Sequence, residues 1–165
     1  MKTKLRTCMT TVGLGTLLLT IGSTGFSVQA GSQKTGGRIE GTWETRVTIR
    51  VCQTSAEIRS FDSVGTINEG GTFLDSTSGT PQALKTPGQG IWEHLGGDTY
   101  GIKFKSFSFD AAGNFTGWTI IKHQATLNQA ADAYYSAGTA EVYSPNGSLV
   151  FTGCSSAVAT RMTLN

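Results

Sequence analysis

The chain's chemically capable side chains are few: two histidines, four tyrosines, three tryptophans and three cysteines, with 11 carboxylates scattered at no repeated spacing. His94 and His123 fall on different predicted strands, so only the fold can bring them together. Glu93 points to the face opposite His94, so these neighbours form no acid–base dyad. There is no nucleophile elbow, no Gly-rich phosphate loop after a strand, no HExxH and no Cys/His zinc spacing. The expectation is therefore no metal and no cofactor. What remains is aromatic. Trp92, Tyr100, Phe104, Trp118, Tyr134, Tyr135 and Tyr143 are candidates to line an apolar pocket in which tyrosine hydroxyls supply the placed polar groups. Of these, Tyr100, Phe104, Trp118 and Tyr135 are the expected ligand-binding set. Trp118 lies beside Gly117, which leaves room for a close approach, although Phe115, Thr119 and Ile121 form a competing inward face.

Such residues must be carried by strands. Gly41 to Cys52 (GTWETRVTIRVC) alternates Trp43, Thr45, Val47, Ile49 and Val51 with Glu44, Arg46, Thr48 and Arg50, the period of a strand with one buried face. Glu57 to Asn68 reads as a strand with a break near Asp62, and Thr72 to Thr77 as a short strand. Ser78 to Gly90 holds Pro81 and Pro87 and is a loop, either a binding loop over a pocket mouth or a plain connection. Ile91–Leu95, Thr99–Phe109, Phe115–Leu127, Tyr134–Ser144 and Ser148 onward follow as strands. A bulge near Ser106 would reconcile Tyr100, Ile102 and Phe104 with Phe107 and Phe109 on the opposite parity. The 22 glycines and three prolines suit many short turns. The pattern predicts an all-β, single antiparallel up-and-down β-barrel of about eight strands, with a β-sandwich as the rival.

The two ends of the chain favour the barrel. If Cys154 to Thr163 lies antiparallel to Gly41–Cys52 with Cys154 opposite Cys52, then Arg161 falls opposite Thr45. That places Arg161 on the face of Trp43 and one diagonal step from it. One register then serves both a Cys52–Cys154 disulfide, weighed against two separate buried thiols, and a Trp–Arg contact. First strand pairing with last is how a sheet closes. Gly41-x-Trp43 with Arg161 from the last strand resembles the calycins: lipocalins, fatty-acid-binding proteins and avidins. In that family the Trp packs across the closed barrel end under an Arg or Lys. The resemblance implies structural roles for Gly41, Trp43 and Arg161, and a barrel able to hold a small apolar ligand. The Thr-Asp-Tyr loop motif of lipocalins is missing, since Asp98-Thr99-Tyr100 has a different order.

Residues 1–30 read as a signal peptide. Lys2, Lys4 and Arg6 precede the apolar run Val12–Ile21, and Val28-Gln29-Ala30 has the small-residue form of a cleavage site. An uncleaved anchor is the alternative. Residues 31–37 (GSQKTGG) read as a flexible lead-in and 38–165 as the barrel domain. Removing the leader takes three of 13 basic residues and none of 11 acidic ones, leaving 10 against 11, a net of −1. No polybasic patch remains for nucleic acid or an anionic membrane, and no stable membrane span survives cleavage. An exported location, secreted or periplasmic, follows. Asn114 and Asn146 begin sequences of glycan-acceptor form. Three functions fit: a secreted barrel binding a small apolar or amphipathic ligand, a cofactor-free barrel enzyme resembling the allene oxide cyclases, or a structural or protein-binding module with a filled barrel.

Overall fold

The computed structural model describes residues 38–164; the expected leader (1–30) and lead-in (31–37) lie outside the described residues. Eight strands follow one another: β1 (Gly41–Arg50), β2 (Glu57–Ile67), β3 (Thr72–Thr77), β4 (Gly88–Gly96), β5 (Thr99–Phe109), β6 (Phe115–Leu127), β7 (Ala133–Tyr143) and β8 (Leu149–Arg161). Every sequential pair is antiparallel, and β1 also pairs with β8, closing the barrel. One 3₁₀ turn, Gln82–Leu84, is the only helical piece among the described residues.

The strand rules carry most of this. On β1, β2, β3 and β8 the odd-numbered residues face inward, as do the even-numbered ones on β4, β5 and β7. Interior burial alternates accordingly at Phe73, Asp75 and Thr77 and at Tyr100, Ile102 and Ser106. The strand β2 runs unbroken through Asp62, because Asp62 faces outward and pairs with Arg46 across the sheet at 2.9 Å. No bulge forms at Ser106, which is buried inside. The register shift lies instead at Ser108/Phe109, where Gly117 adopts φ +129° and a Cβ would collide with the Tyr143 carbonyl. The loop is also shorter than expected, since Gly88–Gly90 already belongs to β4.

The seam between β1 and β8 differs by two residues from the register anticipated. Trp43 pairs directly with Arg161, and Arg50 with Cys154. The cause is the end of β1. The chain leaves the sheet at Arg50 into a tight turn, in which Ser55 N–H donates to the Val51 carbonyl at 2.8 Å and Val51 N–H to the Ala56 carbonyl at 2.9 Å. Cys52 sits in that turn and reaches back to Cys154, forming the disulfide with Cα atoms 5.0 Å apart. An even slip preserves which face each side chain takes, so the disulfide and the Trp–Arg contact both survive it.

One end of the barrel is plugged. Trp43 is fully buried beside Ile39, Ile67 and Tyr134. Its indole N–H donates to the Ile39 carbonyl at 3.0 Å, and the Arg161 guanidinium lies 4.3 Å from the ring centroid. Arg161 also donates to the carbonyls of Arg38 (2.7 Å), Glu40 and Ala131 (2.7 Å). Gly41 is required here: its φ is +135°, and a Cβ would sit 2.5 Å from Arg161 Nη1. Arg38 bonds Asp98 at 2.6 Å and the Gln129 carbonyl at 2.7 Å, tying two turns across the same end. The connection from β3 to β4, with the β1–β2, β5–β6 and β7–β8 turns, lies at the other end.

Candidate functional site

Above the plug the barrel is hollow. A cavity of about 100 Å³ is lined by residues of β1, β2, β3, β5, β6, β7, β8 and the β3–β4 loop. That volume is below the roughly 300 Å³ at which drug-sized pockets begin. It is nearer the roughly 150 Å³ cavity that admits one benzene ring. A space of this size takes nothing larger than one small ring or a short chain.

The walls have a pattern. Val47 and Ile49 on β1 face Ile102 and Phe104 on β5, four strands away around the barrel, and these walls are apolar. The walls between them carry the polar groups, set among the apolar Phe61, Phe73, Ile121 and Ala157. On one side stand Ser63, Asp75 and Thr77 from β2 and β3, with Lys85 reaching in from the loop; on the other stand His123, Ser136 and Ser155 from β6, β7 and β8.

His123 holds a hydrogen bond at each ring nitrogen, Nδ1 with Ser136 Oγ at 3.0 Å and Nε2 with Ser155 Oγ at 2.8 Å. Burial pushes its imidazole down to about 4, so it is neutral at pH 7. An unfolded imidazole takes up its proton near 6.5, whereas the folded one resists until about 4. Stability from this group is therefore fully present above pH 6.5 and lost as pH falls from 6.5 to about 4, an effect of about 3 kcal/mol. Urea midpoints at pH 7.5 and 4.5 should show this loss in wild type and a smaller one in His123→Gln. Equal pH slopes in the two proteins would mean that His123 is solvated.

The opposite wall carries the charge. Ser63 Oγ lies 2.5 Å from Asp75 Oδ1 and 2.9 Å from the Ser76 carbonyl oxygen. Lys85 Nζ stands 3.8 Å from Asp75 Oδ2. Burial pushes the Asp75 carboxyl up, opposed by the Ser63 hydrogen bond and the Lys85 charge. Burial pushes the Lys85 ammonium down, opposed by Asp75. Lys85 is positioned by its backbone bridge to Ser108 and by the neighbouring Thr86 N–H donating to the Phe107 carbonyl at 3.0 Å. The Thr45 hydroxyl, on the adjacent strand, is buried next to the Tyr134 hydroxyl. Burial pushes the Tyr134 hydroxyl up to about 12, so it stays protonated.

Of the four residues expected to bind ligand, Phe104 lines this cavity. Tyr100 is inward but belongs to the plugged end, 2 % exposed and packed on Trp92 and His94 with ring centroids 6.0 and 5.0 Å away. Trp118 and Tyr135 take the outer face, a correction to the expected inward direction. Tyr135 is 54 % exposed. Trp118 stacks on Tyr143 at 5.5 Å and on Phe115 at 6.3 Å, with Lys105 Nζ 4.2 Å from its ring centroid. Of the competing set on β6, Ile121 faces inward and lines the cavity, whereas Phe115 joins the outer aromatics. Phe107 and Phe109 join this outer aromatic row through Phe115, which explains their parity without a bulge at Ser106. His94 and His123 stay apart: His94 bonds the Gly97 carbonyl at 2.7 Å on the turn after β4.

Asp75, Lys85 and His123 were not among the expected site residues. His123 had a signal: it shares parity with Thr119, Ile121, Ala125 and Leu127. Asp75 lies between Phe73 and Thr77 in an alternation where Leu74 argued equally for the other face. Lys85 sits in a loop, where no periodicity applies. Among the described residues no group of three His, Cys, Asp or Glu side chains is placed to hold a metal ion, and no helix is long and apolar enough to cross a membrane. No protein-family model matches the chain, and no curated protein sequence matches it.

Proposed function

We propose that this is an exported, calycin-like barrel that binds a small apolar or amphipathic molecule in its cavity. The observation that carries the reading is the cavity itself: a largely apolar hollow of about 100 Å³ with polar groups set into two of its sides. A barrel that served only as a structural module has no reason to keep its interior unfilled, because close packing stabilises and voids cost. Export is supported by the Cys52–Cys154 disulfide, a bond that persists in oxidising compartments, together with the leader-like residues 1–30. The Gly41-x-Trp43 and Arg161 arrangement supports the calycin likeness, although that likeness does not specify the ligand.

A cofactor-free barrel enzyme is the second reading. It is favoured by one observation, the raised Asp75 carboxyl in a cavity with Lys85, since a buried carboxylic acid is a competent proton donor. Phe104→Ala and Ser136→Leu separate a working cavity from an idle one. Calorimetric titration with single-ring and short-chain compounds should give saturable binding to wild type, weaker binding to Phe104→Ala and none to Ser136→Leu, which fills the space. Trp118→Phe should bind like wild type, because its ring faces out. If no such compound binds wild type, the binding reading fails.

A further inference from the structure

The end of the barrel opposite the plug gathers apolar side chains on separate turns. Val51 and Ile58 flank the β1–β2 turn, and Leu149, Val150 and Phe151 open β8; all five are exposed, Val150 by 66 %. Strand pairing makes them one band. Leu149 lies opposite Tyr143, Tyr143 opposite Trp118 and Trp118 opposite Phe107. On the other side β8 joins β1, where Cys154 pairs with Arg50, and Arg50 pairs with Glu57 at the start of β2. The band thus runs along one end of β5, β6, β7, β8, β1 and β2. Apolar residues scattered singly over a surface need no explanation, whereas a contiguous patch marks an interaction site.

Charge and shape decide between a protein and a lipid surface. Arg50, Arg59 and Lys105 stand in this band, and none has an ion pair among the described residues. Lys105 Nζ lies 4.2 Å from the Trp118 ring centroid and 5.0 Å from that of Phe107, and the Arg59 guanidinium 5.2 Å from that of Phe61. The carboxylates at this end, Glu57 and Asp110, are engaged by near neighbours: Glu57 accepts from Ser60 Oγ at 2.7 Å and Asp110 from Asn114 Nδ2 at 3.0 Å. The plugged end has the opposite balance, since Glu40, Glu69, Asp98 and Asp132 outnumber Arg38 and Arg161. The cores of protein interfaces are depleted in lysine. Aromatic rings with Lys and Arg among them suit the boundary between hydrocarbon and anionic headgroups. The aliphatic groups also sit at turns around a rim, where each can enter a soft layer by itself.

We infer that this end of the barrel docks on an anionic lipid surface. Val51, Ile58 and the start of β8 enter the headgroup boundary, Trp118 and Tyr143 lie at its level, and Arg59 and Lys105 meet the headgroups. The protein rests on the surface and does not span it, because the outer wall beyond the rim exposes Glu44, Arg46, Asp62 and Lys122. No basic run in the sequence encodes this surface; closure of the barrel assembles it. The inference goes beyond the cavity-binding reading and does not depend on it.

Vesicles of phosphatidylcholine alone, and of an equal mixture with phosphatidylglycerol, are the probes. They are co-sedimented with wild type, Val150→Asp, Ile58→Asp, Arg59→Gln and, as a control near the plugged end, Leu95→Asp, with melting curves to confirm folding. Leu95 is 52 % exposed. Wild type should partition more strongly onto the mixed vesicles than onto phosphatidylcholine, and added salt should reduce the difference. Val150→Asp and Ile58→Asp should each weaken partitioning about tenfold or more, the effect of one apolar side chain withheld from the lipid. Arg59→Gln should weaken it roughly fivefold on the mixed vesicles only. Leu95→Asp should bind like wild type. If wild type sediments with neither vesicle, or if Leu95→Asp weakens binding as much as the rim variants do, the inference is overturned. If wild type ignores both vesicles but self-associates, and Val150→Asp is monomeric, the band is a protein interface and the lipid surface is equally overturned. If one rim variant does not fold, the other decides. Each of these failures leaves the cavity-binding reading standing, because none of the substituted residues lines the cavity.

Discussion

Replacing Cys52 and Cys154 together by serine should lower the stability of the barrel by up to about 4–5 kcal/mol, the value the chain-entropy account gives for a closed loop of roughly 100 residues. The bond spans 102 residues of sequence, nearly the whole barrel, so its loss frees the unfolded chain more than a local crosslink would. Its place matters as well. Cys52 sits in the turn after β1, and Cys154 pairs beside Arg50, so the bond fastens the β1–β8 seam near the open end. The arginine and tryptophan fasten it at the other. Urea denaturation of the double variant and of reduced wild type should agree within error, and non-reducing peptide mapping should recover the linked pair. A loss under about 1 kcal/mol, or two alkylatable thiols in the native protein, would remove the disulfide from the account.

Trp43→Ala should cost about 3–5 kcal/mol, the range for truncating a buried large aromatic. Trp43 is 0 % exposed, packs edge-on to Tyr134 with centroids 4.8 Å apart and carries Arg161 over its face. Removing the indole leaves the Ile39 carbonyl without its donor and the guanidinium without its platform. Ligand affinity should change by less than about threefold, because Trp43 is not part of the cavity lining. Urea midpoints and a calorimetric titration on the same preparation test both halves. Wild-type stability in the variant would show that the plug is held by its hydrogen bonds alone.

The architecture was legible because strand periodicity and turn residues are local signals. The alternation of β1, the glycine turns and the cysteine and arginine placements were enough for a closed barrel with first strand on last. The exact β1–β8 register was not legible, because it depends on where β1 stops, and Val51 continues the alternation past the point at which the backbone turns. Inner and outer faces were harder. On β6 both parities carry large apolar residues, Trp118 and Ile120 on one and Ile121 and Leu127 on the other, so hydrophobicity could not choose. The outer aromatic row satisfies Trp118, Tyr143 and Phe115 by stacking them on one another and under Lys105, which no single-strand pattern reveals. The charged wall was least legible of all, since Lys85 reaches Asp75 only through the docking of a loop.

The seam has a consequence for how the protein is made. A chain synthesised from its N-terminus at roughly 5–20 residues per second presents β1 on the order of 5–20 s before its last partner exists, given the 102 residues between the two cysteines. During that interval β1 has an unpaired edge, and the Trp43 face lacks the arginine that covers it. Contacts of such long sequence separation form late. The nascent chain thus remains open until its final strand is released, and closure of the barrel and oxidation of the cysteine pair become possible together only then.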